Sequence, residues 1–118
     1  MSDVISWNLQ VSVREGHLEP FRALMEEMVA ATRSEPGTLS YEWFLSADGT
    51  VCHFCERYAD SAATLEHLGN FGSKFAERFL ACVQPTSFAV YGAPNEQVRA
   101  VLDNFGAAYF GWFGGFSR

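Results

Sequence analysis

Polar and apolar residues alternate strictly near the beginning of the chain. From Ile5 to Val13 every second side chain is apolar, which is the period of a strand with one buried face. Between Leu18 and Arg33 the apolar residues instead recur every three to four positions, as they do on one face of a helix. Pro36 and Gly37 then end the helical pattern. The pattern therefore predicts a strand followed by a helix.

The rest of the chain contains turn signals that divide it into further elements. Asp48-Gly49 is typical of a hairpin turn, and Asp60-Ser61 is typical of a helix start. Gly69 and Gly72 are expected to bend or break the second helix midway. Pro85 is expected to open the fourth strand. The predicted elements are two strands, a helix, a strand, a short helix and an aromatic tail: Thr38 to Ser46, Val51 to Tyr58, Asp60 through Phe79, Thr86 to Tyr91, Pro94 to about Phe105, and Gly106 to Arg118.

The order of these elements, β-α-β-β-α-β, defines the predicted fold. It is typical of an α+β protein with a ferredoxin-like split βαβ fold, in which both helices cover one face of an antiparallel sheet. We predict a single domain over residues 1–118. Its core spans about 5–91, and a C-terminal helix and aromatic tail occupy 94–118.

The two middle strands are apolar on both faces, although a sheet covered on one side normally alternates. The bare face is therefore expected to pack against a second copy of the chain, as a homodimer with a dimeric α/β barrel. The tail either reaches across to that partner or folds back on its own core. The apolar residues on the two faces of the middle strands are Leu39, Tyr41, Trp43 and Leu45 against Phe44 on the second strand, and Phe54 and Tyr58 against Val51 and Cys55 on the third.

Composition and charge exclude several function classes. The 118 residues carry a net charge of -6, with a single lysine and seven scattered arginines, so neither nucleic acid nor an anionic membrane surface is an expected partner. No apolar run approaches the roughly 20 residues that span a bilayer, and no signal peptide is recognisable. With three cysteines expected to be free thiols, we predict a cytoplasmic protein.

Three pieces of sequence, in this order and spacing, resemble a known family. They are Glu35-Pro36-Gly37-Thr38-Leu39-Ser40-Tyr41, the strand end Glu56-x-Tyr58, and His67 in the second helix. Over Ile5 to Tyr91 the chain resembles the antibiotic biosynthesis monooxygenase domain, a dimeric α/β-barrel superfamily. The resemblance implies a small aromatic ligand between sheet and helices, and oxidation of phenols or quinols by O2 without cofactor or metal. The family often has a second His-Phe after the first histidine, where this chain has Gly69-Asn70-Phe71.

His67 and Glu56 are the predicted catalytic residues. Phe71 and Phe75 follow His67 at helical spacing, which places the histidine at the edge of an aromatic cavity. Imidazole titrates near neutral pH and can take a phenolic proton, after which the phenolate can pass an electron to O2. Glu56 can orient His67 or hold an arginine. The alternative for both is a structural role, with the histidine hydrogen-bonded in the core.

Six further side chains are predicted to bind substrate, and two of them invite a haem interpretation. Haem-degrading relatives use an asparagine on the first strand, a tryptophan and a helical histidine, which Asn8, Trp43 and His67 match in type. Arg57 is a candidate for stabilising an anion, or for a surface salt bridge. The six predicted substrate-binding residues are Trp43, Tyr41, Phe71, Phe75, Asn8 and Arg57.

No metal or cofactor site is predicted. Cys52 and Cys55 lie three apart on a strand, so their sulfurs point to opposite faces, and no second ligand pair exists for zinc. Nucleotide and dinucleotide fingerprints are also missing from the sequence. Three hypotheses remain: a cofactor-independent monooxygenase acting on a phenolic or quinol substrate, a non-catalytic dimeric module that binds a small aromatic molecule, and haem binding or degradation.

Overall fold

A computed structural model describes residues 2–118 of the chain. Within that range the chain forms five strands, four α-helices and one 3₁₀ turn that precedes the last strand. They are β1 (Ile5–Val13), α1 (Leu18–Arg33), β2 (Thr38–Leu45), β3 (Val51–Tyr58), α2 (Ser61–Lys74), α3 (Ala76–Cys82), β4 (Val83–Tyr91), α4 (Glu96–Leu102), the 3₁₀ turn (Asp103–Phe105) and β5 (Ala108–Phe110).

The sheet has the strand order β2-β3-β1-β4-β5. The first four strands pair antiparallel, and β5 adds to β4 in parallel. This is the predicted ferredoxin-like α+β fold. The sheet is open, since its edge strands β2 and β5 are not paired with each other. Within residues 2–118 no helix is long and apolar enough to cross a membrane.

One face of the sheet is buried beneath the helices. The alternation along β3 shows this clearly, because Cys52, Phe54, Glu56 and Tyr58 are buried while the residues between them are more exposed. The inner side chains form two clusters, one beneath α1 and α3 and one beneath α4, and partly buried residues of α2 pack against both. Because the two clusters leave a space between them, the packing itself creates the candidate site.

The prediction that Gly69 and Gly72 bend or break the second helix is wrong. Helix α2 runs through both glycines and ends at Lys74. The next residue, Phe75, has a φ of -128° and a ψ of -22°, and it separates α2 from α3. Glycine in a helix costs only about 1 kcal/mol, which the surrounding hydrogen bonds and packing outweigh. Both glycines are exposed, so they do not widen the inner cavity.

Two predictions about the C-terminal part were incomplete. Strand β4 begins at Val83, and Pro85 lies inside it opposite Val11, where the β1–β4 register shifts. A register shift accommodates a residue that has no N–H for the ladder. The tail includes the unpredicted strand β5, which pairs in parallel with the C-terminal end of β4.

The second strand contains a bulge that the alternation could not reveal. Thr38 pairs with Tyr58 and Ser40 with Arg57, which leaves Leu39 as an extra residue. Leu39 is consequently exposed and does not share the inner face with Tyr41, as the pattern predicted.

Gly37 lies where the chain passes close to α2, and it carries a testable prediction. A Cβ at this position would lie 2.4 Å from the Cβ of Ala63. We expect Gly37→Ala to lower the free energy of unfolding by about 1–3 kcal/mol, because the backbone must shift to relieve the overlap. Gly69→Ala is the matched control, since nothing lies within 4 Å of its added Cβ. The control should stabilise the helix by about 0.5–1 kcal/mol in urea unfolding; equal effects at both positions would contradict the close approach.

Candidate active site

A cavity lies between the sheet and the helices at the boundary of the two clusters. Its volume, measured by where the centres of water molecules fit, is about 60 Å³. One water needs roughly 10–15 Å³ on that scale, so the cavity has room for a small organic molecule. Most of its lining is apolar, and it contains side chains from four strands and from all the helices. They are Trp7, Leu9, Met28, Tyr41, Phe54, Glu56, His67, Leu68, Phe71, Phe79, Leu80, Pro85, Phe88, Leu102 and Phe105.

His67 is held in this cavity by a carboxylate on the opposite side of its ring. Its Nδ1 lies 2.9 Å from Oε1 of Glu35, and both side chains are nearly fully buried. Glu35 also accepts hydrogen bonds from the Thr38 hydroxyl at 2.9 Å and from the Asn70 amide at 3.1 Å. These contacts assign the proton of His67 to Nδ1, and leave Nε2 as the nitrogen on the side of the cavity.

A second carboxylate lies on the other side of the imidazole. Oε1 of Glu56 is 3.5 Å from Nε2 of His67, and it accepts a hydrogen bond of 2.5 Å from the hydroxyl of Tyr58. The inner face of β3 brings these groups together, because Glu56 and Tyr58 are two residues apart and point the same way. The result is a continuous chain of Glu35, His67, Glu56 and Tyr58.

The two carboxyl groups differ in their affinity for protons. For Glu56, burial is the largest influence and raises the pKa, although the charge of His67 and the Tyr58 hydrogen bond oppose it. For Glu35, burial also acts upward, but hydrogen bonds from His67, Asn70 and Thr38 outweigh it and lower the pKa. The environment therefore makes Glu56 the weaker acid and Glu35 the stronger acid, on opposite sides of one histidine.

The raised pKa of Glu56 has a consequence for stability. A group whose folded-state pKa lies above its unfolded value of about 4.5 stabilises the fold below that pH, and loses this contribution as pH rises through the folded pKa. Glu35, whose pKa is lowered, contributes in the opposite sense: its stabilisation is present above about 4.5 and is lost as pH falls through the folded pKa.

We therefore expect Glu56→Gln, which mimics the protonated acid, to flatten the pH dependence of stability. Between about pH 5 and 8 the free energy of unfolding of the unmodified protein should fall relative to that of the variant. Urea unfolding at a series of pH values measures this difference. Glu27→Gln, on the surface, is the control and should leave the profile unchanged. Parallel profiles for Glu56→Gln and the unmodified protein would contradict the prediction.

Two of the predicted aromatic residues share the cavity with His67, and a third lies outside it. The Tyr41 and His67 ring centroids are 5.3 Å apart, and burial together with the nearby Glu56 carboxyl raises the Tyr41 pKa. Phe71 lines the cavity directly. Trp43 instead lines a groove between α1 and β2, and its indole N–H is the one buried side-chain polar atom in residues 2–118 without a hydrogen-bond partner.

Phe75, Asn8 and Arg57 are placed away from the reacting end of the cavity. Phe75 packs at the edge of one core cluster, next to the break between α2 and α3. Asn8 pairs with Cys55 and Arg57 with Ser6, on the face of the sheet opposite His67. The amide of Asn8 contacts the Cys55 sulfur at 3.7 Å and accepts a hydrogen bond from Gln10. The structure therefore joins Glu56, His67, Tyr41 and Phe71, and separates Asn8 and Arg57 from them.

Glu35 and Tyr58 are members of the site that the sequence interpretation used only as marks of resemblance. Glu35 stood in a helix-stopping Glu-Pro-Gly, and nothing in that pattern shows that its side chain turns inward. For Tyr58 the signal is its position two residues after Glu56 on the same strand, which places both side chains on one face of the sheet.

The model of the antibiotic biosynthesis monooxygenase family matches residues 5–85. "Putative monooxygenase Rv0793" of Mycobacterium tuberculosis is 43% identical over 49 residues, which are 42% of this chain and 48% of that protein. In this sequence match the chain thus spans about half the length of the relative.

Solved structures share the fold. MupZ from Pseudomonas fluorescens superposes with a TM-score of 0.88 at 28% identity, covering 100% of this chain and 91% of that chain. The structure of Rv0793 gives 0.58 at 28% identity, covering 79% and 97%. SnoaB, a cofactor-independent oxygenase from Streptomyces nogalater, gives 0.67 at 16% identity, covering 80% and 96%, which shows a common fold alone.

Proposed function

The chain belongs to the antibiotic biosynthesis monooxygenase family, and from this premise we propose that it is a cofactor-independent monooxygenase acting on a small phenolic or quinol substrate. The observation that supports the proposal is His67, which is oriented by Glu35 and presents Nε2 at the polar end of an apolar cavity. The described similarity to a cofactor-independent oxygenase of the same fold agrees with it.

The reaction divides between the two sides of the imidazole. Nε2 of His67 takes the phenolic proton, and the negative charge of Glu35 stabilises the imidazolium that forms. The phenolate then passes an electron to O2, and the two radicals combine at the ring carbon. Loss of water from the resulting peroxide leaves a quinone, so that phenol and O2 become quinone and water. Glu56, 3.5 Å from Nε2, is placed to supply a proton to the departing oxygen.

Oxygen consumption by the purified, metal-depleted protein tests this proposal. A panel of hydroquinones, phenols and naphthols is offered in an oxygen electrode, and product is identified by mass spectrometry with ¹⁸O2. One labelled oxygen in the quinone is expected. Binding of panel members without uptake of O2 would replace the proposal with the non-catalytic binding module. A Soret shift with haemin that is lost in His67→Ala would favour the haem alternative.

We also propose a homodimer formed by the bare faces of two sheets. Phe44, Tyr91 and Phe110 are apolar side chains on or beside this face and are 54%, 43% and 53% exposed, and Trp112 and Phe113 of the tail are more exposed still. Tyr91 and Phe110 lie together, with ring centroids 5.9 Å apart, while Phe44 lies on the opposite edge strand, so a partner sheet that covered the whole face would bury all three. The same burial would accommodate a tail that crosses to the partner.

We expect the protein to have twice its chain mass of 13.1 kDa in light scattering after gel filtration. Phe44→Asp should shift it to the monomer mass, because an unpaired carboxylate would be buried at the centre of the interface. Leu80→Asp, which is also exposed but lies on the helical side, should leave the mass unchanged. A monomer before substitution would refute the dimer.

A second candidate function is proton transfer within one substrate, without O2. It is favoured by the acid Glu56 beside the base His67, a pairing that can remove a proton from one atom and return one to another. Incubating a ketone or enol panel in D2O under nitrogen distinguishes the two functions. Protein-dependent deuterium exchange at carbon would support it, and exchange at the uncatalysed rate would exclude it for that panel.

A further inference from the structure

We infer that the site selects an uncharged, mostly apolar molecule, which enters past Leu80 and Phe105, presents a single hydroxyl or carbonyl oxygen to Glu56 and His67, and is rejected when it carries a carboxylate or phosphate beside that oxygen. The inference rests on the proposed function in taking this cavity as the substrate site. It concerns binding alone, so it can fail or hold independently of O2 chemistry.

The direction of the cavity follows from the strand register. Glu56 pairs with Trp7, Phe54 with Leu9 and Cys52 with Val11, so the inner face changes from polar to apolar along the strands. Pro85, which lines the cavity, lies opposite Val11. Trp7, opposite Glu56, and Val11, opposite Pro85, are four residues apart on β1, which corresponds to about 13 Å. The cavity is therefore long, with its polar groups collected at one end.

The exposed lining residues identify the entrance. Leu80 of α3 and Phe105 of the 3₁₀ turn are the lining side chains with large exposure, at 39% and 36%. Glu56 and His67, by contrast, are 5% and 6% exposed. A molecule that enters between Leu80 and Phe105 consequently reaches the polar groups with its leading end.

Charge complementarity determines which leading groups are accepted. Within residues 2–118, the cavity lining contains neither lysine nor arginine, and its ionisable side chains are Glu56, His67 and Tyr41. Arg14 reaches the backbone oxygen of Leu80 at 3.2 Å, but this guanidinium is outside the lining and also contacts Gln84. A carboxylate at the inner end would lose its water in a lining without lysine or arginine, beside the Glu56 carboxyl and a histidine already paired with Glu35, which is costly.

A neutral oxygen, however, finds matched partners. Nε2 of His67 accepts a proton or a hydrogen bond from a hydroxyl, and Glu56 in its protonated form can donate to an oxygen lone pair. The remaining lining offers aromatic and aliphatic contacts. The recognised class is therefore a neutral phenol, enol or ketone on an elongated apolar body.

Two pairs of naphthalene ligands test the inference by calorimetry under nitrogen. Each pair is an acid and its methyl ester, which differ in charge but little in shape: 3-hydroxy-2-naphthoate, with the group beside the hydroxyl, and 6-hydroxy-2-naphthoate, with the group at the far end. The 3-hydroxy ester should bind at least about tenfold more tightly than its acid. Anaerobic titration excludes turnover, so failure of the oxygen reaction would not affect this result.

Leu80→Arg tests the entrance and the orientation. A cation at the mouth should reduce the ester-to-acid ratio of the 6-hydroxy pair about tenfold and leave the 3-hydroxy pair unchanged. Leu39→Arg, on the exposed bulge of β2, is the control and should alter neither pair. The inference is overturned if the 3-hydroxy acid binds as tightly as its ester, if Leu80→Arg changes both pairs equally or neither, or if none of the four ligands binds.

Discussion

Replacement of His67 by alanine is expected to remove oxygen consumption with a phenolic substrate, lowering kcat about 10²- to 10⁴-fold. Among the described lining residues the other ionisable groups are Glu56, whose carboxylate already accepts the Tyr58 hydroxyl, and Tyr41, whose pKa is raised by burial. The measurement is the initial rate in an oxygen electrode, together with a binding titration. Binding should persist while turnover is lost. His17→Ala, in the turn before α1, is the control and should retain the full rate.

Glu35→Gln separates orientation from charge at the same site. The amide oxygen can still accept from Nδ1 of His67, but the negative charge that stabilises the imidazolium is gone. We expect a smaller decrease in kcat, about 10- to 100-fold, as for carboxylates behind metal-bound histidines. The rising limb of the kcat profile should also shift to lower pH, since the imidazolium loses its proton more readily in the variant and neutral His67 is the active base. A profile that does not move would assign Glu35 a structural role only.

Glu35→Ala is expected to have the largest effect on stability, lowering the free energy of unfolding by about 3 kcal/mol. Three donors lose their acceptor together: Nδ1–H of His67, the Asn70 amide and the Thr38 hydroxyl. These donors come from α2 and from the start of β2, so Glu35 links two parts of the fold that are distant in sequence. Urea unfolding at neutral pH measures the change.

A surface ion pair supplies the control for this effect. Glu27 makes two contacts of 3.0 Å with Arg78, and both side chains are about half exposed. Because exposed pairs contribute little, Glu27→Ala should leave the free energy of unfolding nearly unchanged. A double variant, Glu35→Ala with His67→Ala, should cost less than the sum of the single changes, as residues in contact are coupled. Additive costs would show that the buried pair is not an energetic unit.

The relation of the second carboxylate to the cavity explains why acid and base chemistry can coexist here. Glu56 and Glu35 approach opposite nitrogens of one ring, and they differ in hydrogen-bond supply rather than in residue type. Glu35 has three donors, whereas Glu56 is surrounded mainly by apolar side chains and Tyr58. Environment alone therefore lowers the pKa of one carboxyl group and raises that of the other.

The sequence by itself determined the fold and the face of the sheet on which Glu56 lies, because both depend on local information. The period-2 pattern of β1 and the helical period of α1 gave their bounds correctly, since each buries a face whose repeat is written in the chain. The same alternation separated Glu56 from Arg57, and the structure places them on opposite faces. The family resemblance, which needs only residue types and spacing, was confirmed.

Only the tertiary structure decided how the site works. Glu35 and His67 are 32 residues apart, and whether their side chains meet depends on the packing of α2 against the sheet. The same packing holds α2 intact through two glycines, pairs β5 with β4, and leaves the apolar space between two clusters. Contacts distant in sequence determine each of these features, and local propensity is too weak, at about 1 kcal/mol per residue, to predict them.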